Sequence, residues 1–199
     1  AFNNPVVMKI ARAAGVDGVE GLQAKAVETA KSALGIIKKA RGQAYEKALE
    51  TIKLDKTQME EIGIGLKNKL RNLMGADEFD IGMTPERKLD FSNSVLTEGT
   101  APVERAVQDI TSWTDFTPAG LDKLKKRVGA FLDQTPYKTP ARKLITELRD
   151  TLDQELKTKV PGYLEMTKGY REASELIEEI EKNLSLGGKA QIQTTVNKL

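Results

Sequence analysis

The sequence predicts an all-α fold: an elongated helical bundle with an N-terminal helical hairpin and a long C-terminal heptad helix. Apolar residues recur three and four positions apart along most of the chain, and the alternation typical of strands is not found. Hydrophobic residues make up 39% of the chain, charged residues 30% and aromatic residues 5%. This composition is typical of elongated helices, whose surface is large relative to their volume.

The N-terminal residues 1–21 show no clear period and contain Gly15, Gly18 and Gly21. A short amphipathic helix is expected after Pro5, where the next residues include several valines and alanines. We interpret this part of the chain as a terminal docking segment.

Residues 22–99 are predicted to form a helical hairpin followed by an irregular connector. The first helix, over residues 22–54, is rich in alanine, and the second begins after Asp55, which forms a capping-box pattern with Gln58. Small residues let a neighbouring helix approach closely, although each buries little area. The predicted contact face of the first helix consists of Leu22, Ala26, Ala30, Ala33, Ile37, Ala40, Ala44 and Ala48.

Glycines interrupt the second helix and the connector. Gly63 and Gly65 weaken a helix by about 1 kcal/mol each relative to alanine, so we expect them to admit the backbone of a neighbouring segment. Residues 75–99 are expected to be a hinge or domain boundary. A short helix is predicted within it over residues 85–91, with Thr84 as its cap.

Residues 100–199 are predicted to form a C-terminal helical bundle. Each of three helices begins with a hydroxyl residue followed by a proline, in Thr100-Ala-Pro102, Thr117-Pro118 and Thr139-Pro140. Proline at the first turn removes an amide that has no helical partner in any case. Helices are predicted over residues 102–113, 118–134, 140–159, 163–184 and 189–199, with Gly187 and Gly188 ending the fourth.

The helix over residues 163–184 carries an unbroken heptad pattern. Its apolar residues are spaced 3, 4, 3, 4, 3 and 4 apart, which only an α-helix places on one face. The flanking positions are mostly small or neutral, which favours a bundle of three or more helices over a two-stranded coiled coil. We call these residues the seam and predict that they are interaction residues: Tyr163, Met166, Tyr170, Ala173, Ile177, Ile180 and Leu184.

Trp113 is the one tryptophan of the sequence and follows a predicted helix. A tryptophan at such a junction usually fills the corner between two helices. We include it among the candidate interaction residues.

The residue types exclude much of catalytic chemistry. The sequence has no cysteine and no histidine, so thiolate nucleophiles and the commonest general base are missing. Adjacent carboxylates such as Glu178 and Glu179 point away from the seam, and the basic cluster over residues 123–127 is interpreted as a solvated helix face. We therefore expect no enzyme activity, no cofactor, no metal and no small-molecule substrate. A net charge of +2 and the lack of a long apolar run argue against nucleic acid or a membrane as a partner.

Three segments resemble parts of helix-rich proteins of tailed phages and prophages. These are residues 111–127 (TSWTDFTPAGLDKLKKR), Val160-Pro-Gly-Tyr163 with residues 166–174 (MTKGYREAS), and residues 184–190 (LSLGGKA). The resemblance covers about residues 111–199. It implies a component of the virion, such as an internal, portal-associated, tail or injected protein.

The leading hypothesis is a non-enzymatic virion structural or assembly protein that acts through helix–helix contacts. Its partners would be other virion proteins or further copies of itself, and it would reside in the phage particle or otherwise in the cytoplasm of the bacterial host. One alternative is a helical scaffold or adaptor that binds a partner helix or peptide. Another is a protein injected with the phage genome. Because the sequence begins at Ala1 and stops at Leu199 inside a patterned segment, we expect a piece of a longer polypeptide or a processed product.

Overall fold

A computed structural model describes residues 5–86, 88–184 and 186, without the side chains of residues 5–7, 18 and 19. The structure is 73% helical, which confirms the predicted all-α helical bundle. The helices are α1 (Pro5–Ala13), α2 (Gly18–Thr51), α3 (Lys56–Met74), α4 (Thr100–Ser112), α5 (Pro118–Ala130), a 3-10 helix (Phe131–Gln134), α6 (Pro140–Lys159) and α7 (Tyr163–Asn183). Two short strands, β1 (Gly82–Met83) and β2 (Leu89–Asp90), pair antiparallel.

The chain divides into two compact units. Unit 1 comprises the described parts of residues 1–45 and 166–199, and unit 2 comprises residues 46–165. This division differs from the expected boundaries after residues 21 and 99. The reason is that α2 and α7, which are distant in sequence, pack together in unit 1, and no composition shift along the sequence reveals this contact.

Unit 2 is built around α6. This helix contacts α3, α4 and α5. Four leucines spaced four residues apart on α6 are all buried, and each contributes about 1.5–3 kcal/mol relative to an exposed side chain. They are Leu144, Leu148, Leu152 and Leu156, joined by Ala141 and Ile145. The central helix of this unit is therefore α6 and not the seam helix.

Side chains cap three of the helices as the sequence predicts. Asp55 and Gln58 form the complete capping box at α3, and the hydroxyls of Thr117 and Thr139 accept amide hydrogen bonds at α5 and α6. The prediction for Thr100 is wrong, because this residue already lies inside α4. Its cap is Gly99, which has a φ of 72° and no side chain to bond.

The connector over residues 75–99 contains the β1–β2 hairpin where the sequence predicts a helix over residues 85–91. Thr84 closes the turn: its amide donates to the carbonyl of Lys88 at 2.8 Å, and the Lys88 amide donates to its hydroxyl at 3.2 Å. A threonine before a proline can cap a helix or close a turn, and Thr84 closes a turn. Phe79 and Ile81 of the connector are buried.

Unit 1 contains α1, the first part of α2 and most of α7. Gly15, with a φ of 69°, forms the turn between α1 and α2, and Ala11 of α1 is fully buried. The sequence predicts α3 as the hairpin partner of α2, but in unit 1 the partner of α2 is α7. Their shared core consists of Val27, Leu34, Ile177 and Leu186, with Ala30, Ile180 and Leu184 packed against it. The predicted Gly187–Gly188 stop and the helix over residues 189–199 lie outside the described residues.

Candidate interaction surface

The structure buries the seam in the phase that the heptad pattern predicts. Tyr163 and Ile177 are buried, and the other five seam residues are half-buried. The opposite face of the helix is exposed, as the sequence predicts for Glu178 and Glu179. Its residues are Arg171, Glu172, Glu175, Glu178, Glu179 and Lys182. The seam is nevertheless divided between two cores, because Tyr163 belongs to unit 2 and the remainder to unit 1.

In unit 2, Tyr163 completes a buried polar network. Its hydroxyl accepts a hydrogen bond from Nζ of Lys125 at 2.7 Å and donates one to Oδ1 of Asp122 at 2.9 Å. Lys125 also donates to Asp153 at 3.1 Å, and Lys126 lies 2.8 Å from Oδ2 of Asp122. The interpretation of residues 123–127 as a solvated face is therefore wrong for Lys125, whose side chain is only 20% exposed.

In unit 1, α2 and α7 run antiparallel. Lys38 donates to Glu181 at 2.7 Å, and Arg41 donates to Ser174 at 2.8 Å, so residues later in α2 face residues earlier in α7. The ring of Tyr170 lies 4.6 Å from the guanidinium of Arg41, in the range of a cation–π contact. The ring of Tyr45 is 4.9 Å away, centroid to centroid. Seam residues of unit 1 thus pack against the same chain.

The alanine face predicted for α2 is mostly exposed instead of buried: Ala26, Ala33, Ile37, Ala40 and Ala44 are exposed, and Leu22, Ala30 and Ala48 are half-buried. Val27 and Leu34 face α7, whereas Ala33 and Ala40 face solvent. Val27 and Leu34 pack with Ile177 and Leu186 in the core of unit 1. One set of exposed apolar side chains on unit 1 is here called the open strip, and it consists of Ala33, Ile36, Ile37, Ala40 and Ala44 of α2 and Leu176 of α7.

The larger members of the open strip are strongly exposed: Ile36 at 68%, Ile37 at 49% and Leu176 at 58%. Single exposed apolar residues are ordinary, but a contiguous row on a helix indicates a contact surface. The alanine periodicity of α2 indicates a second apolar face. No sequence pattern predicts that Leu176 belongs to the open strip, because Leu176 lies outside the seam.

Trp113 lies at the junction of α4 and α5, where the sequence places it. It is half-buried and caps the end of α4, and its Nε1 donates to the carbonyl of Asp115 at 2.6 Å. The guanidinium of Arg127 lies 5.7 Å from the ring centroid. Both contacts hold the indole at the helix corner.

Unit 2 also has an open cleft of about 760 Å³ between α3, the β1–β2 hairpin and α4. Its floor is apolar, and its rim carries the cations Lys67, Arg71 and Lys88 against one acid, Glu104. Met83 of the hairpin is 57% exposed beside it. The cleft therefore combines an apolar floor with a basic rim.

Within the described residues, no cluster of three or more His, Cys, Asp or Glu side chains could hold a metal ion. None of the helices in that part of the chain is long and apolar enough to cross a bilayer.

The fold and its surfaces define an all-α protein whose candidate sites are helix faces and the cleft between α3, the hairpin and α4. No protein-family model matches the chain, and neither a curated protein nor a solved structure is similar to it.

Proposed function

We propose that the chain is a non-enzymatic structural or assembly protein of a phage particle. It works through helix–helix contacts with further copies of itself or with neighbouring particle proteins. The observation that carries the proposal is the open strip, an apolar face of α2 and α7 that remains exposed after both helices have packed. The resemblance of residues 111–199 to phage and prophage proteins supports the assignment to the particle.

The free energy of burying these side chains, compared with the cost of association, determines how such a face can drive assembly. Burying one isoleucine or leucine yields about 1.5–3 kcal/mol, whereas association costs at least about 4 kcal/mol in lost freedom. A strip with three large apolar residues, Ile36, Ile37 and Leu176, therefore gives a weak single contact. Weak contacts become stable when many copies engage at once, which is the situation in a particle.

Particle fractionation tests this proposal. Virions purified on a density gradient from the phage or induced prophage that encodes the chain should contain it at a fixed copy number per particle, measured by quantitative mass spectrometry. Deleting the coding segment should lower the yield of intact particles or their infectivity. A chain that stays out of the particle band, with unchanged yield and infectivity after deletion, would remove the proposal.

A scaffold or adaptor function is the second candidate, favoured by the cleft of unit 2. Its apolar floor and its cations Lys67, Arg71 and Lys88 suit a short amphipathic segment with acidic residues. Fluorescence anisotropy with a labelled acidic amphipathic peptide should then show binding that weakens with salt. The charge-reversing variant Arg71→Glu should lower the affinity at least tenfold, whereas Lys47→Glu, on the exposed surface of α2, should not. Equal affinity of the wild type and both variants for the peptide would exclude the cleft as the peptide-binding site.

A further inference from the structure

We infer that the cleft of unit 2 receives an amphipathic α-helix of a partner protein, which lies along the groove between α3 and α4 with acidic residues against Lys67 and Arg71. This inference rests on the scaffold or adaptor function proposed above. It deepens that function, because it names the conformation of the partner segment and the flank that carries its acids.

The two long walls of the cleft are helix faces. On both α3 and α4, the lining residues are spaced i, i+3, i+4 and i+7, so each wall is one continuous face. They are Lys67, Leu70, Arg71 and Met74 of α3 and Glu104, Val107, Gln108 and Thr111 of α4. A groove between two such faces is where a third helix packs in a helical bundle.

The helices α3 and α4 run antiparallel along the cleft. A Cβ at Gly63 would lie 2.9 Å from the ring of Phe116, so this residue of α3 is level with a residue just beyond the end of α4. Residues 67–74 and 104–111 can then face each other across the cleft only if the two helices run in opposite directions. The residues at matching levels are Lys67 with Thr111, Arg71 with Gln108, and Met74 with Glu104.

Exposed apolar side chains lie at both ends of the groove. At one end the hairpin follows α3 directly, since the amide of Ile81 donates to the carbonyl of Met74 at 2.8 Å, and the hairpin presents Met83. At the other end is Ile64, seven residues before Arg71 and therefore on the same side of α3. Both Met83 and Ile64 are more than half exposed. From residue 64 to residue 74 the helix rises about 15 Å, so a partner helix of about three turns can cover both side chains.

The walls favour a helix over an extended segment. The backbone groups of α3 and α4 are largely hydrogen-bonded within their own helices, so the walls offer side chains and no strand edge. An extended segment would leave its amides and carbonyls without protein partners along these walls, whereas a helix satisfies its own. The short strands lie only at the hairpin end of the cleft, at Met83 and Leu89.

The cations of the rim select an acidic partner. Within the residues that the structure describes, Lys67, Arg71 and Lys88 form no salt bridge, whereas Lys69 of α3 is paired with Glu155. Unpaired cations around an apolar floor attract a segment that carries carboxylates.

The two walls differ in charge, which determines the flank of the partner that is acidic. Lys67 and Arg71 lie four residues apart on α3 and face the neutral Thr111 and Gln108 of α4, while Glu104 lies near the hairpin. A matching helix therefore carries acids four residues apart on the flank against α3 and neutral side chains on the flank against α4.

Three labelled peptides test the inference on the full chain. Each has about 15 residues, because shorter isolated helices are marginal in water. The glutamate peptide has leucines at helical spacing and glutamates four residues apart on one flank. The lysine peptide replaces these glutamates with lysines, and the proline peptide keeps the glutamates but has a proline at its centre. Fluorescence anisotropy should show that the wild-type chain binds the glutamate peptide about tenfold or more tightly than the other two.

Charge reversal in the protein distinguishes the cleft from other surfaces. The double variant Lys67→Glu and Arg71→Glu should bind the lysine peptide in preference to the glutamate peptide, a switch that unfolding cannot produce. Lys123→Glu is the control, because Lys123 is exposed on α5, outside the cleft, and this variant should keep the wild-type preference.

Truncating the apolar side chains at the two ends tests the length of the contact. Ile64→Ser and Met83→Ser should each weaken binding of the glutamate peptide about fivefold or more, because the peptide covers both side chains. Val95→Ser is the matched control, since Val95 is an exposed apolar residue of the connector outside the cleft.

The outcomes separate this inference from the functions proposed above. A proline peptide that binds as tightly as the glutamate peptide would overturn the helix and leave the cleft as the site of the adaptor function. Failure of the wild-type chain to bind any of the peptides, or peptide binding that the double charge reversal leaves unchanged, would overturn the inference together with the cleft as the adaptor site. The phage-particle function would survive each of these results and fails only in the fractionation of virions.

Discussion

The hydroxyl of Tyr163 donates a hydrogen bond of 2.9 Å to Oδ1 of Asp122, and the two residues are 0% and 2% exposed. The bond joins the first residue of α7 to α5 within unit 2. A buried carboxylate loses its hydration, so it needs such donors to remain charged. Lys125 and Lys126 supply the positive charge on the same side.

Removing the Tyr163 hydroxyl should destabilise unit 2. Tyr163→Phe takes one donor from a buried carboxylate and one acceptor from Lys125, which we expect to lower the free energy of unfolding by about 1–3 kcal/mol. Trp113 lies in unit 2 and is the one tryptophan, so its fluorescence in a urea titration reports on this unit. Tyr137→Phe is the control, because Tyr137 is 81% exposed. Equal midpoints for both variants would contradict the role of the network.

Truncating Ile177 should destabilise unit 1. The side chain is 4% exposed and packs with Val27, Leu34 and Leu186. Ile177→Ala should lower stability by about 2–5 kcal/mol, and Ile177→Asp by more, because it places a carboxylate in an apolar core. Thermal unfolding followed by circular dichroism measures the change. Glu178→Ala, one residue further on the exposed face, should change stability by less than about 0.5 kcal/mol. Similar losses from both residues would show that the α2/α7 contact is misassigned.

The two glycines of α3 should respond oppositely to alanine. A Cβ at Gly63 would lie 2.9 Å from ring atoms of Phe116, so Gly63→Ala should displace the ring and destabilise unit 2. At Gly65 the nearest atom is 4.0 Å away, so Gly65→Ala should stabilise the helix by up to about 1 kcal/mol. Urea unfolding, monitored by the fluorescence of Trp113, compares the stabilities of the two variants with that of the wild type. The neighbour that requires glycine at position 63 is thus an aromatic ring and not the backbone that the sequence suggests.

Unit 2 should lose stability in acid partly through Asp153. Burial alone raises the pKa of this carboxyl, but hydrogen bonds from Lys157 and Lys125 outweigh burial and hold the pKa below its ordinary value of 3.8. A carboxyl with a lowered native pKa stabilises the fold above its unfolded pKa, and this contribution disappears as pH falls through the native value. The stability difference between wild type and Asp153→Asn should therefore be full at pH 7 and shrink below about pH 4. A difference independent of pH would contradict this assignment.

The sequence by itself determined what depends on neighbours along the chain. Helices form where apolar residues repeat at helical spacing, and Asp55, Thr117 and Thr139 cap them because a capping side chain bonds to amides two or three residues away. The phase of the seam is likewise local, since spacing alone fixes which residues share a helix face.

Only the tertiary structure decided which segment covers each face. Periodicity gives the direction of a side chain but not the identity of its neighbour, so Tyr163 and Ile177 share one seam and lie in different units. On α2, two apolar faces are available, and the face with Val27 and Leu34 is buried because Ile177 and Leu186, which are distant in sequence, pack against it. That choice leaves Ile37 and Leu176 exposed in the open strip, on which the proposed function depends.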